Sequence, residues 1–376
     1  MFESRIAADH LTVTTIEGFP RELDVLAAQN LSGHGFLRAA WYGAGASQPG
    51  RTLLIRRGQA AGDDRADGST VLAAIPTVAF GPVIARARKI PGCYWPLRGA
   101  LIAPDCSVFE LAHGLDHAAA RGLGPVWRVG PARADDPGLA VLIEAAQLAG
   151  WTVLSRPAGT SWVIDLDKAW DQSFPRASVA KKLRAGQRKL DEIGTSVWHD
   201  VRGDSWNDDV LKALGAIEAQ SWIARTTDGS GAKFMTPQQR DLWRDALSDP
   251  VLAESLSATI LMIDDRPVAF SFDLDDGAIR YGIASSYVED LRRCNIGKMA
   301  NYRSVEQAIA NGQQSLDLGV GDSGYKKEMG AAEGYDMADL LFVRSRAAAL
   351  VLARAWGNEL AGPSLIANVP RRLVYG

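Results

Sequence analysis

Three cysteines, Cys93, Cys106 and Cys294, are all that 376 residues carry. Their wide spacing gives neither a zinc pattern nor a disulfide framework, so a reducing compartment is expected. No apolar run approaches the ~20 residues of a membrane-spanning helix. The opening MFESRIAADH lacks the charged-then-apolar build of a signal peptide. An excess of one charge is missing too: the net charge is −3 and the pI near 6.0, which gives no reason to expect nucleic acid as a partner. The expectation is a cytoplasmic protein, with peripheral contact at the inner membrane left open. Several chemical signatures are also absent. No H-E-x-x-H occurs, and His113 and His117, four apart on one helix face with Asp116 between, lack a third ligand, so no metal is expected. No G-x-S-x-G marks a serine nucleophile, and no P-loop marks ATP. A literal G-x-G-x-x-G does occur at Gly319, Gly321 and Gly324. The segment after it, YKKEMGAAEG, is polar and glycine-broken rather than an apolar-periodic helix, which speaks against a dinucleotide.

The composition that remains is ordinary for a globular protein, with 47% hydrophobic residues. The length suits two domains or one large core. Eleven tryptophans against eight tyrosines is unusual, though they are scattered from Trp41 to Trp356. In chain order, residues 36–42 read as a short helix, and 52–57 and 71–80 as strands joined by a polar, Gly/Asp-rich loop at 58–70. Residues 94–104 read as a strand, 108–121 as a helix, 126–129 as a strand, 139–148 as a helix, and 151–154 and 162–164 as two strands. The second half repeats the theme. Residues 208–223 and 237–247 read as helices, and 258–263 with 268–274 as a hairpin around residues 264–267. The order implies an α/β layer with covered faces.

The most informative stretch is residues 278–330. AIRYGIASSY reads as a strand and is followed by a polar loop, residues 288–295. A helix then carries Ile296, Met299, Ala300, Val305, Ala308 and Ile309 at helical spacing, with Asn295 expected as N-cap and Gly312 as C-cap. SLDLGV reads as a second strand, and GDSGYKKEMG closes the unit. A loop entering a helix N-terminus presents backbone N–H groups and the positive end of the helix dipole, which suits a pyrophosphate. Arg292, Arg293 and Lys298 surround it, and Gly297 in the first turn allows close backbone approach.

YGIASSYVED, NIGK and SLDLGVGDSGYKKEMG together resemble the acyl-CoA core of the GNAT acyltransferases. The likeness is greatest to the branch with duplicated GNAT domains that holds CelD-like exopolysaccharide proteins and is related to the FemABX peptidyltransferases. It runs in patches over residues 36–343. The departure is in the pyrophosphate loop, where the usual basic-or-Gln, Gly-x-Gly or Gly-x-Ala pattern is reduced to residues 295–298, Asn-Ile-Gly-Lys. The resemblance implies an α/β fold of two tandem GNAT-like domains, each a mixed, mostly antiparallel sheet flanked by helices. The expected boundaries are 1–165, structural or pocket-lining, and 166–376, carrying the acyl-CoA site.

The implied chemistry is N-acylation, an acyl group passing from an acyl-CoA or acyl-carrier thioester to an amine. The family's carbonyl-polarising N–H lies on a splayed central strand, here within residues 281–286. Tyr325, eight residues after Asp317, stands where many GNAT enzymes keep the tyrosine that protonates the leaving thiolate; its ordinary alternative is a tyrosine packed at the core boundary. Asp317, Asp322 and Glu218 are candidates for holding the amine or taking its proton. Gly-Asp-Ser-Gly around Asp322 is also common turn chemistry, and amphipathic helices such as that of Glu218 expose glutamates routinely. Arg292, Arg293, Asn295, Gly297, Lys298 and Lys326 are the expected donor-binding residues. Residues 225–234 read as an acceptor loop or a connector.

Lys181, Lys182, Arg184, Arg188 and Lys189 form a basic helix between the halves, with Leu183, Leu190 and Ile193 as its apolar stripe. It is either a solvated face or an anion site for a CoA 3′-phosphate, a carrier protein or a lipid headgroup. Residues 344–357 read as a packed terminal helix, with a membrane-surface helix as the alternative. No permanently bound cofactor is implied; acyl-CoA would be a co-substrate. The acceptor is open between a lipid such as a sphingoid amine and an amino sugar of the cell envelope. Aminoacyl transfer and an inactive scaffold are the other readings, and the acidic pI argues against tRNA.

Overall fold

The computed structural model describes residues 10–58, 70–94, 97–171, 174–226, 231–321, 324–356 and 359–360. They fall into two compact units, one within Met1–Thr160 and Tyr335–Gly376, the other Ser161–Gly334. The expected loop at 58–70 lies almost wholly outside the described residues.

The first unit opens with an antiparallel meander of β1 (Leu11–Glu17), β2 (Arg51–Arg57), β3 (Thr70–Phe80) and β4 (Ala87–Lys89). The short β5 (Leu101–Ile102) joins β3, and β6 (Val126–Arg133) pairs in parallel with β4. Helices α1 (Glu22–Ala27), α2 (Ala39–Ala44), α3 (Val108–Asp116), α4 (Ala118–Leu123) and α5 (Pro137–Leu148) accompany these strands. Leu53, Leu54 and Ile55 on β2 and Leu72 to Ile75 on β3 are buried without alternation, as strands covered on both faces should be. Helix α5 starts where it does because Pro137 fills its first turn and Asp136 accepts the Leu139 N–H at 2.6 Å.

The expected helix over 108–121 is instead two. His117 turns extended after α3, and its Nδ1 accepts the Ala119 N–H at 3.2 Å, so a side chain that looked like a helix interior is a cap. The two strands expected at 151–154 and 162–164 are one, β7 (Thr152–Asp165), running through the polar residues between them. Of the strand expected over 94–104, only β5 is present among the described residues.

In the second unit, α6 (Leu166–Asp171) and α7 (Ala177–Asp191) lead to β8 (Ser196–Arg202). Helices α8 (Asp208–Ala219), α9 (Trp222–Thr226), α10 (Pro237–Leu247) and α11 (Pro250–Ser255) precede β9 (Leu256–Ile263), β10 (Arg266–Asp276) and β11 (Ile279–Tyr287). After α12 (Ile296–Ala310) come β12 (Ser315–Val320) and the single turn α13 (Tyr325–Glu328). Strands β8 to β11 form an antiparallel meander, and β12 pairs in parallel with β11. The pattern of the first unit is thus repeated. The one helix expected over 208–223 stops at Ala219 and restarts at Trp222, Ser221 providing the hydroxyl that takes the Ile223 N–H. Under α8 and α10 the core is aromatic: Trp243 and Phe234 meet Phe272 edge-on at centroid distances of 4.7 and 5.1 Å.

Residues 161–165 of β7 pair with β12 in the second unit. The last segment, β13 (Ala332–Val343), α14 (Arg346–Trp356) and β14 (Glu359–Leu360), returns to the first unit, where β13 pairs with β6 and β14 with β7. The α/β class, with a mixed and mostly antiparallel sheet flanked by helices, is as the sequence led us to expect.

Candidate functional site

The site begins with a parting of strands. β11 and β12 pair only over Ile279↔Ser315, Arg280↔Leu316 and Tyr281↔Asp317. Beyond that, β12 bulges, its register with β7 slipping between Asp317 and Val320. Gly319, Gly321 and Gly324 have φ of 78°, 85° and 78°, a region that other residues enter at a cost. The glycine pattern noticed in the sequence therefore serves backbone geometry. Two buried side chains hold the bulge. The Asp317 carboxylate accepts the Gly319 N–H at 2.6 Å and the Ser161 hydroxyl. The Lys326 ammonium donates to the carbonyls of Gly319 at 2.8 Å and Val320 at 3.2 Å. One side chain satisfies N–H and the other C=O where the ladder fails, as buried backbone requires.

The loop after β11 is a 3-10 turn, Glu289–Cys294, that leaves Arg292 and Arg293 exposed. Asn295 stands at the N-cap position of α12, but its side chain makes no capping bond. It adopts the left-handed conformation (φ 59°) that asparagine tolerates, and so steers the chain into the helix. The other end matches expectation: Gly312 (φ 78°) donates to Ile309 and Gln313 to Ala308, a Schellman closure. Gly297 has a neighbour in the protein itself. A Cβ there would lie 2.5 Å from the Tyr287 ring. Helix α7 packs on the same loop, where a Cβ at Gly186 would fall 2.3 Å from the Cys294 carbonyl and Lys189 donates to the Arg293 carbonyl at 3.2 Å.

Between α7, α12 and α13 lies a cleft of about 210 Å³, lined by Arg176, Lys182, Lys298, Tyr302 and Tyr325 among others. A neighbouring cleft of about 260 Å³ shares Arg176, Tyr302, Glu328 and Met329 and adds Phe174 and Lys168. Tyr325 is 37% exposed at the start of α13. Lys298 forms an ion pair with Glu328, which holds that carboxyl below its ordinary value. Burial, then the charge of Glu328, pushes the Tyr302 phenol up. Three cations against one carboxylate make the cleft suited to an anion. Sequence reasoning missed Arg176, Tyr302 and Glu328. The usable signal was spacing: Tyr302 is four residues after Lys298 on one helix face, and Glu328 three after Tyr325.

Asp317, Glu218, Arg292, Arg293, Asn295, Gly297 and Lys326 are not among the residues that line this cleft. Glu218 is fully buried on α8, accepting the N–H groups of Lys233 (2.8 Å) and Phe234 (2.6 Å). Burial pushes its carboxyl above the ordinary value, and those bonds pull it back. Glu218 thus ties the end of the 225–234 loop to α8. Asp322 lies outside the described residues. A buried network not foreseen from sequence fixes α12 to the sheet. Asp273 accepts from Ser271 at 2.6 Å and Ser304 at 2.9 Å, and burial pushes its carboxyl up. Arg280, 1% exposed, grips Asp275 with two bonds and donates to the Ser304 carbonyl at 3.0 Å. The sign in the sequence was Ser271, Asp273 and Asp275 alternating through an apolar strand.

Residues 177–327 match the family model described as "Acetyltransferase (GNAT) domain". No curated protein matches the chain. Among solved structures, FemX is similar at 10% identity over 90% of this chain and 99% of its own, with a TM-score of 0.53. The C-terminal domain of a putative lysylphosphatidylglycerol synthetase from Agrobacterium fabrum is similar at 15% identity, covering 89% and 94%, with a TM-score of 0.52. L-PGS from Bacillus licheniformis gives 14%, 91% and 98%, and 0.50. At such identities the likeness is one of fold. Residues 177–327 have a GNAT-type fold, and this matched segment holds the parted strands, α12 and Tyr325.

Proposed function

We propose that the second unit moves an acyl group from a phosphate-bearing thioester, an acyl-CoA or an acyl-carrier protein, to an amine. The observation that carries this reading is the parting of β11 and β12 after Tyr281↔Asp317, beside the cationic cleft that holds Tyr325. In this reading, backbone N–H groups of residues 282–286 polarise the thioester carbonyl. The amine nitrogen attacks the carbonyl carbon, the C–S bond breaks, and the Tyr325 phenol gives its proton to the departing thiolate. The N-terminus of α12 with Arg292, Arg293, Lys298, Arg176 and Lys182 receives the donor's phosphates. Glu218 and Asp317 are candidates for taking the amine's proton, although both already accept backbone N–H bonds. Lys326, buried against two carbonyls, we assign to shaping the site. For the acceptor we favour a sphingoid-type amine taking a long acyl chain, with an amino sugar as the alternative.

A second reading is aminoacyl transfer. It is favoured by α7, whose exposed cations lie over the very loop that would hold a CoA pyrophosphate, and by the likeness to a lysylphosphatidylglycerol synthetase. Thermal melting with acetyl-CoA, palmitoyl-CoA and CoA separates the two. A donor at about a hundred times its Kd stabilises by roughly 2.7 kcal/mol. A shift with palmitoyl-CoA alone supports the lipid reading, and one with acetyl-CoA alone the amino-sugar reading. No shift with any of the three overturns the CoA donor. In the acylating protein, Tyr325→Phe should lower kcat about 10²- to 10⁴-fold with KM unchanged.

A further inference from the structure

We propose that the first unit docks on a bilayer surface carrying anionic lipid, through the tip that joins β3 to β4. The tip is residues 81–86, Gly-Pro-Val-Ile-Ala-Arg, every one exposed. Val83 and Ile84 are 93% and 94% exposed, more than any other large hydrophobic residue described. They are held out by structure. Ala85 and Arg86 close a 3-10 turn onto the carbonyls of Pro82 and Val83, both at 3.0 Å. Arg86 then takes a left-handed conformation, its guanidinium donating to the Gly122 carbonyl at 3.1 Å. Its own carbonyl packs so closely on Gly124 that a Cβ there would lie 2.0 Å away. Two aliphatic side chains are thus fixed in water at the end of an anchored turn.

Two arginines lie at the anchoring segment: Arg86 in the tip itself and Arg121, whose guanidinium is 3.6 Å from the Asp116 carboxylate. Elsewhere in the first unit, Leu350 and Val351 on α14 are 70% and 73% exposed. Shape decides the occupant. A stable protein interface buries about 800 Å² on each partner, far more than a convex tip of two side chains can offer. A lipid surface asks only that the tip enter its headgroup layer, with the arginines meeting anionic phosphates. The proposal is independent of the acyl-transfer reading.

The test is co-sedimentation of the full chain with vesicles of phosphatidylcholine alone and with one quarter phosphatidylglycerol, at low and at 0.5 M salt, beside gel filtration without lipid. Pelleting with the anionic vesicles that salt weakens is expected. The double variant V83D/I84D, unchanged in melting temperature, should bind on the order of a hundredfold more weakly. The proposal is overturned if the wild type does not pellet, or if the double variant pellets equally well. It is overturned too if the wild type is a dimer that the double variant splits, for the tip is then a contact between copies of the chain.

Discussion

The two units share a plan, four antiparallel strands followed by one parallel strand, yet they treat the end of the parallel pair differently. In the first unit the pair runs to Lys89↔Arg128, and the chain itself continues the ladder. Ile90 donates to the Arg128 carbonyl at 3.0 Å and Arg98 to that of Pro131 at 3.1 Å. In the second unit the pair ends at Tyr281↔Asp317, and Asp317 and Lys326 stabilise the bend that keeps the strands apart. The same topology is self-filled in one copy and open in the other. Charge follows the difference: in the first unit Arg128 and Arg156 both close on the buried Asp339, with Trp356 stacked 3.8 Å from Arg156. In the second unit Arg176, Lys182 and Lys298 face a cleft.

The hardest blow to this contrast is Asp317→Ala. It strands the Gly319 N–H and the Ser161 hydroxyl, so unfolding free energy should fall by about 1–3 kcal/mol for each group left unpaired, and donor-induced stabilisation should vanish. Arg98→Met in the self-filled copy, where the buried Arg98 Nε has no hydrogen-bond partner among the described residues, should leave that stabilisation intact. If the two variants act alike, the units are not functionally distinct. Gly297→Ala is next. Were the glycine there only for a ligand, alanine would gain up to ~1 kcal/mol of helix propensity. Contact with Tyr287 instead predicts a loss of about 1–3 kcal/mol, recovered in part when Tyr287→Ala is added, as a double-mutant cycle in urea would show.

The smallest effect is one of pH. Burial raises the Asp273 carboxyl in the folded state, so the native protein holds this proton more tightly than the unfolded chain does. The stability it contributes is full below the ordinary carboxylate value and is lost as pH rises through the raised one. Urea midpoints measured from pH 4 to 8 should therefore decline less with rising pH in Asp273→Asn than in the wild type. An identical slope in both would show that Asp273 stays charged.

Legibility followed locality. Helix α10 is bounded as read, because Thr236, Pro237 and Gln239 make a capping box with proline in the first turn. The hairpin of β9 and β10 and the helix α12 were visible in their apolar periodicity. Strand β7 was read as two because Pro157 and Gly159 interrupt it, and no local signal shows that its end is claimed by β12. Within the site, Tyr325 and Lys298 were found and do line a cleft. Asp317, Lys326 and Gly297 were picked out for chemistry, but each has a structural partner: Ser161, far away in the chain, for Asp317, and the nearby Gly319 carbonyl and Tyr287 ring for Lys326 and Gly297. Residue type marks a position as unusual; only the tertiary neighbours say what the unusual residue is for.

The exchange of strand ends bears on how the protein is made. Strand β7 starts in the first unit and its last residues, 161–165, pair in the second unit's sheet, while residues 337–343 return to lie against β6 in the first. A ribosome releasing this chain exposes β6 long before its partner exists, and that edge stays without β13 until residue 343 has emerged. A gene cut at residue 165 would therefore not yield two working halves. It would leave each product with a row of backbone groups looking for the strand carried by the other.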